Sequence, residues 1–425
     1  MKKKLKMSCI VFANNPPKKL YATVQVPVSK SVGNRQLIID FLCGFKRYKN
    51  AEEAWSQDLV DLWNALEAVS AGQTLISIGE SGTALRFLSS LLSIQKGRKF
   101  ILTGESRIPE RPMRVLVEAL KLLNAKITYL EKEGFAPLAI EGNQLTSRVI
   151  KLDGSASSQF ASSLLLIAPF IEGGLEIEIS EGSKSLSYLT LSIDLLKENG
   201  AQIVMVDKHI CVQAGLLSPS MKKWPADWSS IPYFIAFAAC AEEAEIKISD
   251  VIHDASQADF AAVEIFERYF GVHCEFSEEG LTIRKTDKPI SKEAILLNGN
   301  NFPDLVPTLF VCAAILGRDI EISEIAHLSY KESDRIAVLT SELGKIGYTI
   351  VATEKGAYRG SPAENYRNAA KVQLDAKNDH RMAMSFSLLS FMSKELSIQG
   401  ADSVKKSFPR YWEMLSNLGL AFDIT

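Results

Sequence analysis

The chain has 425 residues, more than one ordinary hydrophobic core accommodates, so two or more domains are expected. Hydrophobic residues make up 47% of the chain and charged residues 23%, a composition typical of soluble globular proteins. The formal net charge of −2 provides no global field that would favour nucleic acid or an anionic membrane surface.

The cysteines and the apolar runs indicate the cellular compartment of the protein. Six cysteines are scattered without a C-x-x-C pair, which predicts reducing surroundings and no zinc site. The lysines at the start precede only the short apolar run Met7–Ala13, a weak signal for a signal peptide. No apolar run approaches the length of a membrane span. A cytoplasmic monomer that binds neither membrane nor nucleic acid is therefore expected.

The first predicted strand leads into a loop that suits a phosphate group. Tyr21–Val28 alternates apolar and polar residues, and apolar residues from Leu37 onwards predict a helix. Between them lies Ser29–Arg35, in which hydroxyls, the Lys30 ammonium and the Arg35 guanidinium can all donate to an anion. A polar loop that merely caps a helix would have the same pattern.

A second loop of this kind follows the short strand Ile76–Ile78. Gly82 allows a ligand to approach the backbone closely at the start of the predicted helix Thr83–Ile94. Arg111 follows a further strand, and Pro112 suits the first position of the predicted helix Met113–Asn124. Arg111 is therefore held on a stiff turn, where it points to solvent or to an anion.

Strands and helices then alternate along the chain. The further strands are predicted at Leu175–Ser180, Ala244–Val251, Leu281–Arg284 and Ile320–Ile325. The further helices are predicted at Phe160–Ile171, Leu189–Asn199, Ala258–Phe270, Leu305–Leu316 and Asp334–Ile346. This alternation predicts an α/β protein of two domains, with ligand groups at helix starts that face a shared cleft.

Charged residues cluster at helix starts in the second half. Asp379, His380 and Arg381 precede an apolar helix, whose N-terminus favours anions. Asp304 lies at another helix entrance, and Lys331–Arg335 combines two acids with two bases. Each cluster alone would fit a solvated, capped helix start equally well.

Seven motifs together, in this order, resemble the 5-enolpyruvylshikimate-3-phosphate synthase family. Any one of them is weak, but the ordered set is specific and runs from about Val26 to Phe408, nearly the whole chain. The motifs are Ser29-Lys-Ser-x-x-Asn-Arg35, Ser81-Gly-Thr-Ala-x-Arg86, Glu110-Arg-Pro112, Asp153-Gly-Ser-x-Ser-Ser-Gln159, Lys331-Glu-Ser-Asp-Arg335, Asn378-Asp-His-Arg-Met-Ala-Met384 and Lys406-Ser-Phe-Pro409.

The resemblance implies a fold. It is the two-domain inside-out α/β barrel, in which each domain consists of three repeated βαβαββ-type units around a shared cleft. Because the chain crosses between the domains twice, residues 1–28 and 226–425 are expected to form the first, discontinuous domain and residues 29–225 the second.

The resemblance also implies a reaction. It is the transfer of the enolpyruvyl group of phosphoenolpyruvate to the 5-hydroxyl of shikimate 3-phosphate by addition and elimination, without metal or cofactor. Asp304 is expected to be the base, and Glu332, with Lys30 beside it, the proton donor to the methylene carbon. The expected substrate-binding residues are Lys30, Ser31, Arg35, Gly82, Arg111, Ser157, Ser158, Gln159, Ser185, Tyr188, Asp304, His327, Lys331, Arg335, His380, Arg381 and Lys406.

The sequence departs from the family pattern beside several ligand positions. These departures bear on affinity and on the response to the herbicide glyphosate more than on the type of reaction. The family usually has Gly, Asn, Pro, Asn and Arg where this chain has Val28, Glu80, Phe87, His327 and Ser329.

Two alternatives within this fold remain open at this point. The related UDP-N-acetylglucosamine enolpyruvyl transferase shares the fold, but it lacks the Ser-Lys-Ser-x-x-Asn-Arg loop and has a reactive cysteine that has no clear counterpart here. A non-catalytic paralogue could bind a phosphorylated metabolite, although binding alone does not require the acid–base residues Asp304 and Glu332. A nucleic-acid binder is disfavoured because there is no basic stripe.

Overall fold

The computed structural model describes residues 9–12, 17–46, 55–105, 108–152, 158–179, 186–255, 257–287, 293–364, 366 and 371–425. The chain divides into two compact units. Unit 1 comprises Met1–Pro27 and Pro225–Thr425, and unit 2 comprises Val28–Trp224. Each division lies one residue before the boundary expected from the sequence. Within the described ranges, no helix combines the length and apolar character needed to cross a membrane.

The strands are short, and most follow the two-residue alternation of buried and exposed side chains. In the described part of the chain they are β1 (Cys9–Phe12), β2 (Lys19–Val24), β3 (Leu75–Ser77), β4 (Lys99–Thr103), β5 (Lys126–Tyr129), β6 (Leu138–Glu141), β7 (Val149–Leu152), β8 (Leu175–Ile179), β9 (Ile203–Val206), β10 (His209–Val212), β11 (Glu243–Ser249), β12 (Val272–Ser277), β13 (Gly280–Lys285), β14 (Ile295–Asn298), β15 (Ile320–Ser323), β16 (Tyr348–Ala352), β17 (Tyr358–Pro362), β18 (Lys371–Asp375), β19 (Glu395–Gln399) and β20 (Phe422–Ile424).

The helices connect these strands, and two of the described helices continue directly into a short 3-10 turn. Over the same residues they are α1 (Lys30–Leu42), α2 (Gln57–Ser70), α3 (Gly82–Ser93), α4 (Arg114–Leu122), α5 (Ser158–Ile167), α6 (Leu186–Glu198), α7 (Pro232–Cys240), α8 (Ala262–Tyr269), α9 (Val306–Ile315), α10 (Arg335–Gly344), α11 (His380–Ser387) and α12 (Tyr411–Asn417).

The described part of the fold contains five four-stranded sheets, each with one parallel and two antiparallel strand pairs. In the sheet β14-β15-β17-β16, the first two strands are parallel and the other two pairs are antiparallel. The sheets β3-β4-β6-β5 and β7-β8-β10-β9 of unit 2 have the same order and directions. The repeated βαβαββ unit expected from the family resemblance is therefore present in each of these sheets.

Two sheets of unit 1 are built from distant parts of the chain. In one, β2 pairs in parallel with β11, so the whole of unit 2 is inserted between two neighbouring strands. In the other, β1 lies between β19 and β20. It occupies the position that the last strand of the unit, β6 or β10, occupies in the sheets of unit 2. The N-terminal segment thus contributes to two sheets of unit 1.

The observed elements correct several predicted boundaries. The strand predicted as Tyr21–Val28 ends at Val24, three residues before Pro27, which lacks the N–H needed in a ladder. The helix predicted from Met113 begins at Arg114, so Pro112 precedes the residue before the helix instead of occupying its first turn. The helix predicted at Ala258–Phe270 begins as a 3-10 turn and becomes α-helical only at Ala262.

Helices α7, α9 and α11 form the centre of unit 1. Nearly every residue of the three is buried. Burial is expected for α7 and α9, which are apolar on all sides, whereas α11 also buries His380 and Arg381 in its first turn. A hydrogen bond of 3.1 Å between the Thr308 and Ser385 hydroxyls joins α9 to α11. The starts of these central helices carry the charged residues described next.

Candidate active site

The main candidate site in unit 1 is a cluster of carboxylates and arginines, here named the carboxylate–arginine cluster. Asp304 lies in the turn before α9, and Arg335 is the first residue of α10. Asp379 is the N-cap of α11, where its carboxylate accepts from the backbone N–H of Arg381 at 2.9 Å. Glu332 and Arg381 complete the cluster, and all five residues lie in or just before the first turn of a helix. The packing of three helix starts against one another therefore brings these charges together.

Arg335 is the centre of the cluster and is almost fully buried. Its Nε lies 2.8 Å from Oδ2 of Asp379, and its Nη1 lies 2.8 Å from Oδ1 of Asp304. Its Nη2 donates to Oε2 of Glu332 at 3.2 Å and to Oδ1 of Asp379 at 3.3 Å. Burial alone would lower the pKa of Arg335, but Asp379, Asp304 and Glu332 outweigh it and raise that pKa. Arg335 therefore remains charged.

Arg381 is the second buried arginine of the cluster. Its Nη2 donates to Oδ2 of Asp304 at 3.2 Å. Its Nη1 donates to the backbone carbonyl of Ser229 and, at 3.4 Å, to the hydroxyl of Tyr233. Burial acts against the charge, but Asp304 and the other anionic neighbours raise the pKa of Arg381 well above its usual value. The guanidinium is thus anchored on both sides.

Asp304 is held between the two arginines, one on each oxygen. Burial would raise the pKa of its carboxyl, but Arg381, Arg335 and Lys331 outweigh burial and hold that pKa well below its ordinary value. Asp304 is therefore ionised and able to accept a proton. It is a weak base as long as both arginines donate to it.

Asp259 is a further buried carboxyl near the cluster, and nothing in its sequence context singles it out. It is 3% exposed, and no hydrogen-bond donor among the described residues reaches its Oδ1. Burial, with Asp304 as a nearby like charge, raises the pKa of Asp259 to about 7. The surroundings of Asp304 and Asp259 thus drive the pKa values of two neighbouring carboxyls apart.

The other expected residues of unit 1 lie around this cluster. Lys406 Nζ is 3.8 Å from Oε1 of Glu332, and Lys331 is near enough to lower the pKa of Asp304. His380 is 2% exposed, with Nδ1 3.9 Å from Oδ1 of Asp379. His327 is half-buried in the 3-10 turn Ala326–Tyr330.

In unit 2, the expected phosphate loop forms the start of α1. The Ser29 side chain caps this helix by accepting from the backbone N–H of Val32 at 3.4 Å. The helix begins at Lys30, so the segment from Lys30 to Arg35 is helical and not a loop. Lys30 pairs with the buried carboxylate of Asp58 at 3.2 Å, whereas Glu332 belongs to unit 1.

Arg35 is enclosed by protein groups. Its Nε donates to the Ser192 hydroxyl at 2.6 Å, and its Nη1 to the Ser31 carbonyl at 2.8 Å. Its Nη2 donates to the Ser162 hydroxyl at 3.2 Å and to the Tyr188 carbonyl at 3.0 Å. Burial lowers its pKa to about 10. Arg35 therefore joins α1, α5 and α6 and fixes the backbone at Ser31 and Tyr188.

The second cationic group of unit 2 surrounds the start of α3. A Cβ added at Gly82 would lie 3.1 Å from Nη1 of Arg86 and 3.9 Å from Nε of Arg111. Arg86 also donates to the Gln159 side-chain carbonyl at 2.8 Å. The Gly82 backbone thus lies beside two guanidiniums at a helix N-terminus, which is a favourable place for an anion. Glu80 is exposed.

Three predicted serines are described incompletely or not at all. Ser157 and Ser185 lie outside the described residues. Ser158 is the first residue of α5, and Tyr188 lies in the first turn of α6. Among the described residues, no group of three or more His, Cys, Asp or Glu side chains could hold a metal ion.

Sequence reasoning missed several residues that support the site. The charged tripeptide at Asp379 is predicted from the sequence, but the bond by which Asp379 holds Arg335 is not. Asp227, Ser229 and Tyr233 were missed because none of the predicted helices begins at Pro232, where α7 starts. The signal that could have found them is Asp227-Trp-Ser-Ser, two residues before Pro232.

Comparison with solved structures defines the class of protein by its fold. The structure described as EPSP synthase from Acinetobacter baumannii matches with a TM-score of 0.78 and 23% identity, covering 99% of this chain and 100% of that one. The enolpyruvyl transferase NikO from Streptomyces tendae matches with a TM-score of 0.69 and 13% identity, covering 99% of each chain. The chain thus has the two-domain α/β fold of enolpyruvyl transferases.

Sequence comparison specifies the family. A protein from Bacteroides fragilis strain YCH46 named 3-phosphoshikimate 1-carboxyvinyltransferase is 33% identical over 411 residues, covering 96% of this chain and 98% of the relative. A protein of the same name from Vibrio cholerae is 30% identical, covering 93% and 96%. The family described as EPSP synthase (3-phosphoshikimate 1-carboxyvinyltransferase) matches residues 49–415, and this chain belongs to it. The resemblance inferred from the seven motifs is confirmed.

Proposed function

We propose that this protein transfers the enolpyruvyl group of phosphoenolpyruvate to the 5-hydroxyl of shikimate 3-phosphate and releases phosphate, a step in aromatic amino acid biosynthesis. Family membership supports the reaction. The structural observation that carries the proposal is the Asp304 carboxylate, which accepts from Arg335 on one oxygen and from Arg381 on the other. This arrangement combines a proton acceptor with two groups that bind anions.

Phosphoenolpyruvate carries a carboxylate and a phosphate, both of which a guanidinium can bind through two parallel hydrogen bonds. Arg335, Arg381 and Lys406 of unit 1 are assigned to it. Lys30, Arg111 and the Gly82 backbone of unit 2 are assigned to the same ligand. The two arginines at Gly82 and the helix N-terminus support the assignment in unit 2.

The binding of shikimate 3-phosphate is assigned to hydroxyl and amide groups of the protein. Arg35 acts on this ligand indirectly, because its guanidinium donates to the protein and fixes the backbone at Ser31 and Tyr188. The assigned residues are Ser31, Ser157, Ser158, Ser185 and Tyr188, with Gln159 placed between the two ligands. His327 and Lys331 are proposed to bind substrate without a choice between the two.

Asp304 removes the proton from the 5-hydroxyl as that oxygen attacks the enolpyruvyl carbon. Binding of an anionic ligand to Arg335 and Arg381 draws hydrogen bonds away from Asp304, which raises its basicity when the substrate is present. Glu332 gives a proton to the methylene carbon. In the elimination, the bond between the carbon and the phosphate oxygen breaks, the methyl carbon returns its proton to Glu332, and Asp304 passes its proton to the departing phosphate. His380, beside Asp379, orients the cluster.

The location and oligomeric state complete the proposal. All six cysteines are thiols in this structure, which is consistent with a reducing compartment such as the cytoplasm. A monomer is proposed, because one chain carries every residue assigned above.

Phosphate release tests the function directly. Purified protein should release phosphate from phosphoenolpyruvate when shikimate 3-phosphate is present, and neither substrate alone should suffice. UDP-N-acetylglucosamine serves as the comparison acceptor. Turnover with the sugar nucleotide and none with shikimate 3-phosphate would refute the proposal and favour the related transferase.

A further inference from the structure

A turn before α7 lies directly against Arg381. The carbonyl oxygen of Ser229 accepts from Nη1 of Arg381, and the Tyr233 hydroxyl lies 3.4 Å from the same nitrogen. Tyr233 is 1% exposed and its ring packs edge-on against Tyr411, with the ring centroids 5.8 Å apart. Two oxygens of one short segment therefore hold Nη1, while Nη2 donates to Asp304.

The position of the Ser229 carbonyl is set by a buried carboxylate. Asp227 is 3% exposed, and its Oδ1 accepts from the backbone N–H of Ser229 at 3.1 Å and from its hydroxyl at 2.8 Å. Its Oδ2 accepts from the Ser230 hydroxyl at 3.4 Å. The backbone N–H of Asp227 donates to the Pro27 carbonyl at 2.8 Å. Asp227 thus fixes the turn through both its side chain and its backbone.

The residue between Asp227 and Ser229 is also held in place by a hydrogen bond. Trp228 is 1% exposed, and its backbone N–H donates to the Gln257 side-chain carbonyl at 3.2 Å. Gln257 in turn donates to the Ala226 carbonyl at 3.0 Å. The turn therefore has little freedom to adjust, and the Ser229 carbonyl has a defined direction.

We infer that Asp227 is a positioning residue for phosphoenolpyruvate binding, because it fixes the Ser229 carbonyl that orients the Arg381 guanidinium. The inference rests on the proposed function, in which Arg381 binds that ligand. Without a fixed acceptor for Nη1, the guanidinium would rotate towards Asp304 and donate through both Nη atoms. Ligand binding would then have to displace two hydrogen bonds from Asp304 instead of one, which weakens binding.

The test is a comparison of two substitutions at one position. Asp227→Ala removes the acceptor of the Ser229 N–H and hydroxyl, so the KM for phosphoenolpyruvate should rise about tenfold, equivalent to about 1.4 kcal/mol. The KM for shikimate 3-phosphate should stay within about twofold, since most residues assigned to it lie in unit 2. Asp227→Asn keeps the oxygen at Ser229 and should restore a KM close to that of the wild type.

A matched control separates positioning from general loss of structure. Glu267 also accepts from a backbone N–H of unit 1, that of Cys274 at 2.8 Å. Unlike Ser229, which Asp227 holds, Cys274 is not one of the residues that orient Arg381. Glu267→Ala should lower the thermal unfolding temperature without changing either KM. If Asp227→Ala does not fold, Tyr233→Phe removes the second acceptor of Nη1, and its KM for phosphoenolpyruvate should rise about twofold to threefold.

The outcomes distinguish the inference from the proposed function. Wild-type protein without phosphate release would refute the function, and the inference with it. An active wild type with an unchanged KM for phosphoenolpyruvate in Asp227→Ala would overturn the inference alone. Equal increases in both KM values, or an Asn variant as impaired as the Ala variant, would also overturn it. If only Tyr233→Phe can be measured, an unchanged KM there overturns it.

Discussion

At the scale of single residues, Asp304 is defined by its two arginines. Asp304→Asn keeps the size of the side chain and removes its ability to accept a proton, so kcat should fall by roughly 10²–10⁴-fold. Phosphate release under saturating substrates measures this change. Because the residues assigned to shikimate 3-phosphate are unchanged, calorimetry should still detect binding of that ligand.

Asp319→Asn is the matched control for Asp304→Asn. Asp319 pairs with Arg359 at 3.2 Å on the surface of the same unit, with both side chains more than half exposed. This variant should retain wild-type turnover, because exposed ion pairs contribute little. An Asp304→Asn variant that turned over at nearly the wild-type rate would exclude Asp304 as the base.

Asp259 predicts a pH dependence of stability. Its pKa is raised from the ordinary value of 3.8 to about 7, so the folded protein holds a proton that the unfolded chain has lost between those values. The free energy of unfolding should therefore fall as pH rises from 5 to 7, by up to about 1.4 kcal/mol per pH unit from this group. The low pKa of Asp304 has the opposite sign, but its contribution is lost only at more acidic pH.

Urea unfolding at pH 5 and pH 7 tests this prediction. Asp259→Asn cannot ionise, so its stability should decrease less between the two pH values than that of the wild type. Asp287→Asn, at an exposed position of the same unit, should behave like the wild type. Parallel pH profiles for the wild type and Asp259→Asn would contradict a raised pKa at this site.

The sequence predicts charged residues at helix starts better than it predicts their partners. Asp304, Arg335 and Arg381 could be selected because each lies in a charged motif beside an apolar run. Asp259 could not, since its importance depends on burial next to residues that are distant in the chain. Burial of a single carboxylate leaves no periodic signal in the sequence.

At the scale of elements, Arg35 joins three helices of unit 2. Arg35→Lys keeps the charge but cannot donate to Ser192, Ser162 and two carbonyls at once. The free energy of unfolding should decrease by about 2–4 kcal/mol, as expected when buried hydrogen bonds to a charged group are lost. Urea unfolding measures the loss of stability, and hydrogen exchange in α1, α5 and α6 shows where protection is lost.

Arg98→Lys is the control for this change within unit 2. Arg98 donates through Nη2 to the Val69 carbonyl at 2.8 Å, and it stacks on Phe100 with its guanidinium carbon 4.8 Å from the ring centroid. This variant should lose less than about 1.5 kcal/mol. Equal losses in the two variants would show that Arg35 does not link the helices.

The predicted helices agree best with the structure at two long, largely apolar segments. The helices predicted at Thr83–Ile94 and Leu305–Leu316 differ from α3 and α9 by one residue at each end. The edges of several sheets, such as β5 and β16, were not predicted, because strands of four or five residues contain few positions of alternation. Their pairing is set by contacts with strands that follow in the chain.

At the scale of the whole molecule, β1 connects the first residues of the fold to the last. Ile10 is fully buried and lies opposite Ile398 and Ile424. Ile10→Ala should destabilise unit 1 by about 2–5 kcal/mol, because it leaves a cavity in the core. Hydrogen exchange should become faster in β18, β19 and β20, while β3 and β4 of unit 2 keep their protection.

Val11→Ala provides the comparison on the same strand. Val11 is only half-buried, so its truncation should have an effect below about 1.5 kcal/mol. The prediction would be wrong if Ile10→Ala accelerated exchange equally in both units, since β1 pairs only with strands of unit 1 among the described residues.

The insertion of unit 2 between β2 and β11 determines the order in which partners leave the ribosome. The nascent chain exposes β2 before any residue of unit 2, but its partner β11 is synthesised only after unit 2 is complete. β1 waits longer, because β19 and β20 are made last. Every strand of unit 2 in the described sheets finds its partners within that unit. Unit 2 can therefore fold during translation while two open strand edges persist upstream, where they are vulnerable to misplaced pairing.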